Sequence, residues 1–404
     1  MLTPADALRK TREAGALNSL RVLHVIPSIA SFRGGPSQVI RIVAEGLSAC
    51  GLTVAVLTTD DDGLGRLPVP LGVPVREGSV TYWYFPRQTR FYNCSLPLTS
   101  WLWRHVTEFH LLHIHTVFSF VSTAAALIAK AKGIPYVVRP LGVLNRWGFE
   151  NRRPVLKRLS FAAIDKHILK HAAAIQYTSA QEKAEAERLF PGIRSVILPN
   201  PVRMSAEFPA RAALHTDSES RSKPLLLFMS RIDEKKGLDL LIQAFARVKQ
   251  CFPECRLVVA GSGEESVAKS LRLLAEREQV ADSIDWAGFV SGTAKQQLLA
   301  LADVFALPSY SENFGVAVVE AMAGGLPVVI SDQIGIHPAI TQGGAGLVTP
   351  CNVDALTRAL LEVLADPATA RVMGERGRRV VLTQFSIPVV SQKLISLYQS
   401  ILHS

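Results

Sequence analysis

A chain of 404 residues with 48% apolar content is long enough for two ordinary domains, each with its own core. The five cysteines are scattered, which fits a reducing cytoplasm better than a disulfide or metal framework. Residues 1–20 contain no apolar core of signal-peptide length, and no stretch reaches the roughly 18 uninterrupted apolar residues of a membrane span. We therefore expect a globular cytoplasmic protein.

Net positive charge is confined to the first half of the chain. Residues 1–210 contain 25 Lys and Arg against 14 Asp and Glu, whereas the remainder contains 19 against 20. Such asymmetry indicates a half that meets an anionic surface or substrate, although a basic, solvated face explains it equally well. No recognised binding module accompanies the charge, so nucleic acid is not an expected partner.

The first part of the chain alternates short apolar runs with helical segments. LRVLHVIP (20–27) and LTVAVLTTD (52–60) read as strands, and PSQVIRIVAEGLSAC (36–50) between them has helical spacing. Continuous apolar strands separated by helices imply a parallel sheet covered on both faces, so residues 1–202 are predicted to form a Rossmann-like domain. The alternation continues through strands 111–116, 135–140, 174–179 and 195–200 and helical segments 122–133, 154–172 and 180–190.

A second alternating series follows residues 203–223, whose Ser, Pro and Ala content is typical of a linker. Residues 224–385 are predicted to form a second Rossmann-like domain, and the final helix, about 386–404, to pack back onto the first. Two doubly wound α/β domains in tandem bind ligands at the C-terminal ends of their strands, in a cleft. The predicted strands are 224–230, 255–263, 283–290, 302–309, 327–331 and 345–350, and the predicted helices include 237–250, 264–280, 293–301 and 315–323.

Two loops of this second series are candidates for phosphate binding, and the first is the stronger candidate. The first places Ser230 and Arg231 after a strand and Lys236 at the start of a helix, where cations and backbone N–H groups attract phosphate. The alternative is a surface turn whose charges lie in water. The second, Gly261-Ser262-Gly263, lacks the third glycine of a dinucleotide fingerprint, since residue 266 is serine. A dinucleotide-dependent oxidoreductase is therefore disfavoured.

The stretch SYSENFGVAVVE (309–320) places Glu312 before a predicted helix and Glu320 about two turns into it. The helical rise puts the two carboxylates roughly 8 to 12 Å apart. This is wider than the roughly 5 Å between the nucleophile and acid of a retaining glycosidase. Two separated carboxylates beside exposed N–H groups suit a ligand with a phosphate between two hydroxylated rings. The alternative is one capping acid and one solvated acid.

His113 and His115 share one face of a predicted strand, because side chains two residues apart point the same way. A zinc site would need a third ligand, and His110 lies outside that register, so we expect core histidines and no metal. The acidic run at residues 60–62 has no other support as a metal site.

The segment ENFGVAVVE resembles the E-x7-E motif of retaining glycosyltransferases with the GT-B fold, the glycosyltransferase family 4 group. The resemblance covers nearly the whole chain, because other family segments occur in family order. They are GGPSQVIRIVAEGLSACGLTVAVLTT, HIH, SRIDEKKGLDLLIQAF, VVAGSGEE, WAGFV, ADVFALPSYSENFGVAVVEAMAGGLPVV and GGAGLVTP.

The resemblance implies a role for each matching position. Glu312 is expected to contact donor-sugar hydroxyls, and Glu320 to hold the ribose diol. Arg231 and Lys236 are expected to neutralise the diphosphate, and His115 to position or polarise the transferred sugar. Thr116 stands where many relatives carry an acid, so no general base is assigned. The other implied donor-binding residues are Ser230, Asn313, Phe314 and Gly315 beside the diphosphate, Gly34 and Gly35 in a glycine-rich loop, and Gly261, Gly288 and Phe289 near the base.

The activity expected from this resemblance is retaining transfer of a sugar from a nucleotide-diphosphate sugar, which serves as co-substrate without a further cofactor. The acceptor is expected to be a saccharide or lipid-linked saccharide, in assembly of a surface polysaccharide or glycolipid. Segments 86–105 and 146–172 mix cations with apolar residues and predict contact with an anionic membrane, or ordinary buried helices. A non-hydrolysing nucleotide-sugar epimerase and a non-catalytic nucleotide-sugar or polyanion-binding protein remain the alternatives.

Overall fold

The computed structural model describes residues 20–30, 34–144, 164–188, 191–204 and 223–404. The N-terminal segment, most of the predicted membrane segment 146–172 and most of the predicted linker therefore lie outside the described residues. The chain divides into two compact units. The first unit is Met1–Pro201 with Ile387–Ser404, and the second unit is Val202–Ser386.

The described part of the first unit contains an eight-stranded sheet in the order β10-β9-β8-β7-β1-β2-β6-β5. Its central strands are fully buried on both faces, which explains their continuous apolar sequences. The strands are β1 Arg21–Val25, β2 Thr53–Thr59, β5 Pro74–Glu77, β6 Val80–Phe85, β7 Leu111–His115, β8 Tyr136–Arg139, β9 Ala174–Tyr177 and β10 Ser195–Ile197, and a small separate hairpin is formed by β3 Asp61–Asp62 and β4 Gly65–Arg66.

The prediction of a wholly parallel first sheet is wrong at one edge, where β5 runs antiparallel to β6. Only Gly78 and Ser79 separate these strands, and Gly78 has a φ of 59°. A two-residue connection with positive φ closes a hairpin, whereas a parallel pair needs a long crossover. The sequence pattern that corresponds to this hairpin is EGSV (77–80) between two short runs.

Helices cover this sheet, and the last helix of the chain belongs to the first unit. It packs against the first helix at Gly46, where an added Cβ would lie 2.5 Å from both Ile387 and Ser391. A side chain at this position would therefore fit only if Ile387 and Ser391 moved aside. The helices are α1 Gly35–Ala49, α2 Leu96–His105, α3 Phe120–Ala131, α4 Lys166–His171, α5 Ala180–Glu187 and, at the end of the chain, α13 Ile387–Leu402.

The second unit contains a six-stranded parallel sheet in the order β13-β12-β11-β14-β15-β16. The order reverses between β11 and β14, and ligands of doubly wound sheets bind at such a switch point. The strands are β11 Leu225–Met229, β12 Arg256–Ala260, β13 Ile284–Gly288, β14 Val304–Leu307, β15 Val328–Ser331 and β16 Gly346–Thr349, and the helices are α6 Leu238–Cys251, α7 Glu265–Arg277, α8 Gly292–Leu301, α9 Val316–Ala323, α10 His337–Gly343, α11 Val353–Ala365 and α12 Pro367–Val380.

Candidate functional site

The loops after β11 and β14 bring Lys236 and Glu312 together in the second unit. The ammonium of Lys236 donates a short hydrogen bond to the Glu312 carboxylate and forms an ion pair with it. Gly237 permits this contact because its φ is 66° and an added Cβ would overlap the carbonyl oxygen of Pro308. The amide of Tyr310 also donates to the Lys235 carbonyl at 2.8 Å. The two loops therefore hold each other at the switch point of the sheet.

The Glu312 carboxylate is held in its ionised form. Burial alone would raise its pKa, but the Lys236 ammonium and its hydrogen bond lower it, helped by Lys235 and by the backbone N–H of Phe314. Burial also lowers the pKa of Lys235, and the neighbouring charge of Lys236 acts in the same direction. The site thus contains two lysines around one carboxylate, an arrangement that can accept a further anion.

The start of α9 lies directly after Glu312. Gly315 precedes the helix with a φ of 84°, a left-handed conformation that favours glycine. The Phe314 ring is buried and packs edge-on against Phe385, with ring centroids 5.6 Å apart. Packing of this side chain fixes the backbone around it, and the Phe314 N–H donates to the Glu312 carboxylate directly before the helix. Asn313, in the same loop, is partly buried.

Glu320 lies further along α9 and forms an ion pair of its own. The Lys295 ammonium on α8 donates to Glu320 Oε1 at 2.7 Å. Both side chains are about four-fifths buried, with 22% exposure for Lys295 and 19% for Glu320. Each of the two motif glutamates therefore has a lysine partner, and the partner of Glu320 comes from a helix outside the motif.

Arg231 is placed less tightly than Lys236. It follows Ser230 at the end of β11, its side chain is 55% exposed, and it pairs with Asp233 Oδ2 at 3.3 Å. Ser230 is partly buried and its backbone N–H donates to the Ala260 carbonyl. The structure brings Lys236 to Glu312 and leaves Arg231 in an exposed pair beside the same loop.

The residues predicted near the base form a backbone network at the ends of β11, β12 and β13. The Gly261 amide donates to the Gly288 carbonyl at 2.7 Å, and an added Cβ at Gly261 would overlap the Ser230 carbonyl. Gly261 therefore has a packing role that does not depend on a ligand. Phe289, directly after β13, is 62% exposed. An exposed aromatic ring at a strand end offers a stacking surface for a planar base.

In the first unit, Gly34 and Gly35 lie at the N-terminus of α1. Gly34 has a φ of 71°, and an added Cβ would meet no atom of the described residues within 4 Å. The requirement for glycine at this position is therefore conformational.

His115 ends β7 and is buried in a stack of three histidines. His24 Nδ1 lies 3.0 Å from His115 Nε2, and the rings of His113 and His115 have centroids 4.4 Å apart. Burial lowers the pKa of His24 to about 3, with a further contribution from Arg139. Burial also lowers the pKa values of His113 and His115, and the neighbouring rings and Arg139 add to the effect. All three imidazoles are therefore neutral at physiological pH.

Two further polar side chains extend this stack. The Tyr398 hydroxyl of α13 lies 2.7 Å from His113 Nδ1, and the buried Arg139 on β8 bonds to Asn200 Oδ1. Directly after the stack, Thr116 and Phe118 have φ values of 73° and 57°. Positive φ at such residues is strained, and strained backbone is concentrated at functional sites.

The histidine stack is the group of described residues with the ligand types of a metal site. Its ligand nitrogens lie within 4.8 Å of one another, but the ring planes are within 29° of parallel. Zinc needs in-plane lone pairs that converge at about 2.0–2.1 Å. Stacked rings do not offer such convergence, so the three histidines fit a hydrogen-bonded stack better than a metal centre.

Sequence reasoning missed three members of these clusters, which are Lys295, His24 and Tyr398. His24 pairs in register with His113 across β1 and β7, and LRVLHVIP did show a histidine inside a predicted strand. Lys295 and Tyr398 are distant in sequence from their partners, and no local pattern connects them.

An α/β architecture with two doubly wound units, and paired acids and lysines at the strand ends of the second, agrees with the GT-B fold expected from the sequence. Both units match glycosyltransferase family models: "Glycosyl transferase 4-like domain" over residues 34–201 and "Glycosyl transferases group 1" over residues 212–380. The chain belongs to this family of group 1 glycosyl transferases.

A relative from Corynebacterium glutamicum, a GDP-mannose-dependent monoacylated alpha-(1-6)-phosphatidylinositol monomannoside mannosyltransferase, is 30% identical over 184 residues, which are 44% of this chain and 47% of the relative. A glycogen synthase from Mycobacterium tuberculosis is 28% identical over 239 residues, 58% of this chain and 56% of that protein. The chain spans about half the length of the curated relatives that it matches.

Two solved structures show the same fold. Sucrose-phosphate synthase from Thermosynechococcus elongatus superposes with a TM-score of 0.75 at 21% identity, covering 95% of this chain and 99% of that one. The Anabaena protein Alr3699/HepE in complex with UDP and glucose superposes with a TM-score of 0.72 at 18% identity, covering 94% of this chain and 100% of that one.

Proposed function

We propose that this protein transfers a sugar from a nucleoside-diphosphate sugar to a saccharide or lipid-linked saccharide, with retention of configuration. The observation that carries the proposal is the contact between Lys236 and Glu312 directly before the α9 N-terminus, with Glu320 further along the same helix. These groups supply the positive charge that a diphosphate needs and the carboxylates that two hydroxylated rings need.

In this proposal the second unit binds the donor. Negative charge develops on the diphosphate as the anomeric carbon–oxygen bond breaks, and Lys236 and the Gly315 N–H stabilise that charge, while the Phe314 N–H holds the Glu312 carboxylate in place. Because these groups are fixed before the reaction, little reorganisation is needed, and no metal ion is required. Glu312 accepts hydrogen bonds from sugar hydroxyls, Glu320 holds the ribose, and Arg231 contributes long-range attraction. His115 offers a neutral hydrogen-bonding group to the transferred sugar.

Retention is proposed to arise from attack on the face that the diphosphate leaves. The departing phosphate oxygen then takes the acceptor proton. One C–O bond to phosphate breaks, one C–O bond to the acceptor forms, and the acceptor proton passes to the leaving group.

The test is a screen of UDP-, GDP- and ADP-sugars for release of the nucleoside diphosphate, with the anomeric configuration of the product read by NMR. UDP and GDP are tried first because they occur in the names of the structural neighbour and the relative. Glu312→Gln is expected to lower turnover by about 10²–10³-fold, as does loss of one preorganised transition-state contact. The matched control is Asp354→Asn, which removes an exposed carboxylate of the same unit.

Other outcomes would contradict the proposal. Interconversion of the donor sugar without transfer to any acceptor would indicate an epimerase. Nucleotide binding with no turnover, unchanged in Glu312→Gln, would indicate a binding protein.

We also infer that the first unit meets an anionic membrane surface, where lipid-linked acceptors would be presented. Among the described residues no helix has both the length and the apolarity to cross a bilayer. The support is an exposed apolar pair, Leu64 at 85% and Phe91 at 59% exposure, joined through Arg90, whose guanidinium donates to the Leu64 carbonyl at 3.1 Å. Apolar side chains beside cations suit an anionic lipid interface.

Vesicle flotation tests this inference. Wild-type protein is expected to float with vesicles that contain anionic lipid and less with neutral ones, and Leu64→Ser with Phe91→Ser is expected to reduce flotation. The control is Leu273→Ser, an exposed leucine at 48% in the second unit. Equal flotation of the wild type and all variants with both vesicle types would contradict the inference.

A further inference from the structure

The ion pair between Lys295 and Glu320 joins two elements that follow different strands. Lys295 lies on α8, which begins four residues after Gly288, whereas Glu320 lies on α9 after β14. The residues expected near the base therefore lead directly into the helix that carries Lys295. The pair connects the proposed base region to the proposed ribose-binding glutamate within one compact unit.

Among the residues that the structure describes, the pair leaves both groups with unused hydrogen-bonding capacity. Lys295 donates one of its three N–H groups to Glu320 Oε1 at 2.7 Å. An ammonium has two further donors, and a carboxylate whose one oxygen is engaged retains the other oxygen as acceptor. With 22% and 19% exposure, both side chains reach solvent while most of their length is buried. A donor and an acceptor are thus fixed side by side at a partly open position.

This arrangement complements a pair of adjacent hydroxyl groups. A hydroxyl both donates and accepts, so in a vicinal diol one hydroxyl can donate to a carboxylate while the oxygen of its neighbour accepts from an ammonium. A glutamate without a partner would offer only acceptors and would bear an uncompensated, largely buried charge. If a diol binds there, the lysine therefore donates a hydrogen bond to the ligand in addition to joining the two helices.

We propose that Lys295 and Glu320 act together as the ribose-recognition pair, with Glu320 accepting from one ribose hydroxyl and Lys295 donating to the oxygen of the other. This inference rests on the proposed function, because it takes a nucleoside diphosphate as the ligand of the second unit. It makes Lys295 a specificity-determining residue for ribose over deoxyribose.

The experiment is a calorimetric cycle of ligands and variants. UDP, GDP and ADP are first titrated into wild-type protein, and the tightest of them is then compared with its 2′-deoxy and 3′-deoxy forms. The same three ligands are titrated into Lys295→Met, Lys295→Arg and the control Lys269→Met, which changes an exposed lysine on α7 of the same unit. Thermal melting verifies that each variant is folded.

Wild-type protein is expected to bind the ribonucleotide roughly 10-fold more tightly than at least one deoxy form, the loss that one hydrogen bond to a charged group causes. In Lys295→Met the ribonucleotide is expected to lose roughly 10-fold in affinity, and discrimination against the deoxy form that lacks the oxygen bound by Lys295 to fall to about twofold, while the contact of Glu320 with the other hydroxyl remains. Lys295→Arg keeps the donor and should retain part of the discrimination, and Lys269→Met should match the wild type.

Two results would overturn the inference. The first is equal affinity of the wild-type protein for the ribonucleotide and both deoxynucleotides, a measurement that needs no variant. The second is a Lys295→Met protein that loses affinity equally for all three ligands, as a mere brace between helices would. Failure of the proposed function has a different signature, because wild-type protein would then bind none of the nucleoside diphosphates.

Discussion

The two units handle their functional polar groups in opposite ways. In the second unit, Glu312 and Glu320 form ion pairs with Lys236 and Lys295, and the pKa of Glu312 is lowered by its partner; Lys236 is buried, whereas the other three side chains are partly exposed. In the first unit, the three stacked histidines are buried and neutral, and their hydrogen bonds run to each other and to Tyr398.

This difference teaches what each region can do. Paired charges with solvent access can exchange a partner for a charged ligand, because the ligand replaces interactions that the site already provides. Neutral imidazoles in a dry environment offer directional donors and acceptors but little attraction for a diphosphate. The donor diphosphate is therefore proposed to bind the second unit, because the neutral stack has no charge with which to attract it.

The largest expected effect concerns the charged groups of the second unit. Lys236→Met should weaken binding of the nucleoside diphosphate by roughly 100-fold, since a charge-assisted contact contributes about 1.5–3 kcal/mol. Binding of the uncharged nucleoside should change less than twofold, because the nucleoside has no phosphate to meet Lys236. Calorimetric titration of both ligands measures the contrast.

Lys236→Arg serves as the control, because it keeps the charge while changing the shape of the donor. Equal loss of nucleoside and nucleoside-diphosphate binding in Lys236→Met would show that the lysine supports the fold of the loop and not the diphosphate.

A smaller effect, the dependence of stability on pH, tests whether the stacked histidines of the first unit are neutral. The unfolded chain protonates His24 below pH 6.5, whereas the folded chain holds the pKa of His24 at about 3. The stability contributed by the neutral ring is therefore complete above pH 6.5 and falls as pH decreases toward 3. Between pH 7.5 and 5.5 one such histidine accounts for a loss of about 1.4 kcal/mol in the free energy of unfolding.

Urea unfolding at the two pH values measures this loss of unfolding free energy. The loss should be smaller in His24→Asn than in the wild type by the amount that one histidine accounts for. His403→Asn, at an exposed position near the C-terminus, should leave it unchanged. If wild-type stability were flat or rose between pH 7.5 and 5.5, the stack would be charged and the comparison would fail.

The smallest effect concerns the contact between His113 and Tyr398. A double-mutant cycle with His113→Leu and Tyr398→Phe should give a coupling free energy of about 1 kcal/mol, the net contribution of one buried hydrogen bond. The control cycle pairs His113→Leu with Tyr310→Phe, whose hydroxyl bonds Asp239 in the second unit. Coupling near zero in the first cycle would mean that the observed contact does not stabilise the first unit.

Much of the second unit could be predicted from sequence because its signals are local. ENFGVAVVE contains both glutamates and the helix start within nine residues, and SRIDEKKG contains the cations in one turn. Each predicted strand of this unit overlaps an observed one, since fully buried parallel strands have continuous apolar sequences.

The remaining features depend on contacts between distant residues, which no local pattern reveals. Lys295 meets Glu320 only because α8 and α9 pack in one unit, and Tyr398 meets His113 across 285 residues of sequence. The antiparallel edge strand escapes sequence prediction for another reason, since β5 is only four residues long, is mostly exposed and has no continuous apolar run.

The most direct measurement is a crystal structure of the protein with the nucleoside diphosphate that binds most tightly. The account predicts that the diphosphate lies within hydrogen-bonding distance of the Lys236 ammonium and the N–H groups before α9, with the ribose hydroxyls at Glu320. A well-ordered nucleotide bound at another surface, with Lys236 and Glu320 still joined only to their present partners, would contradict it.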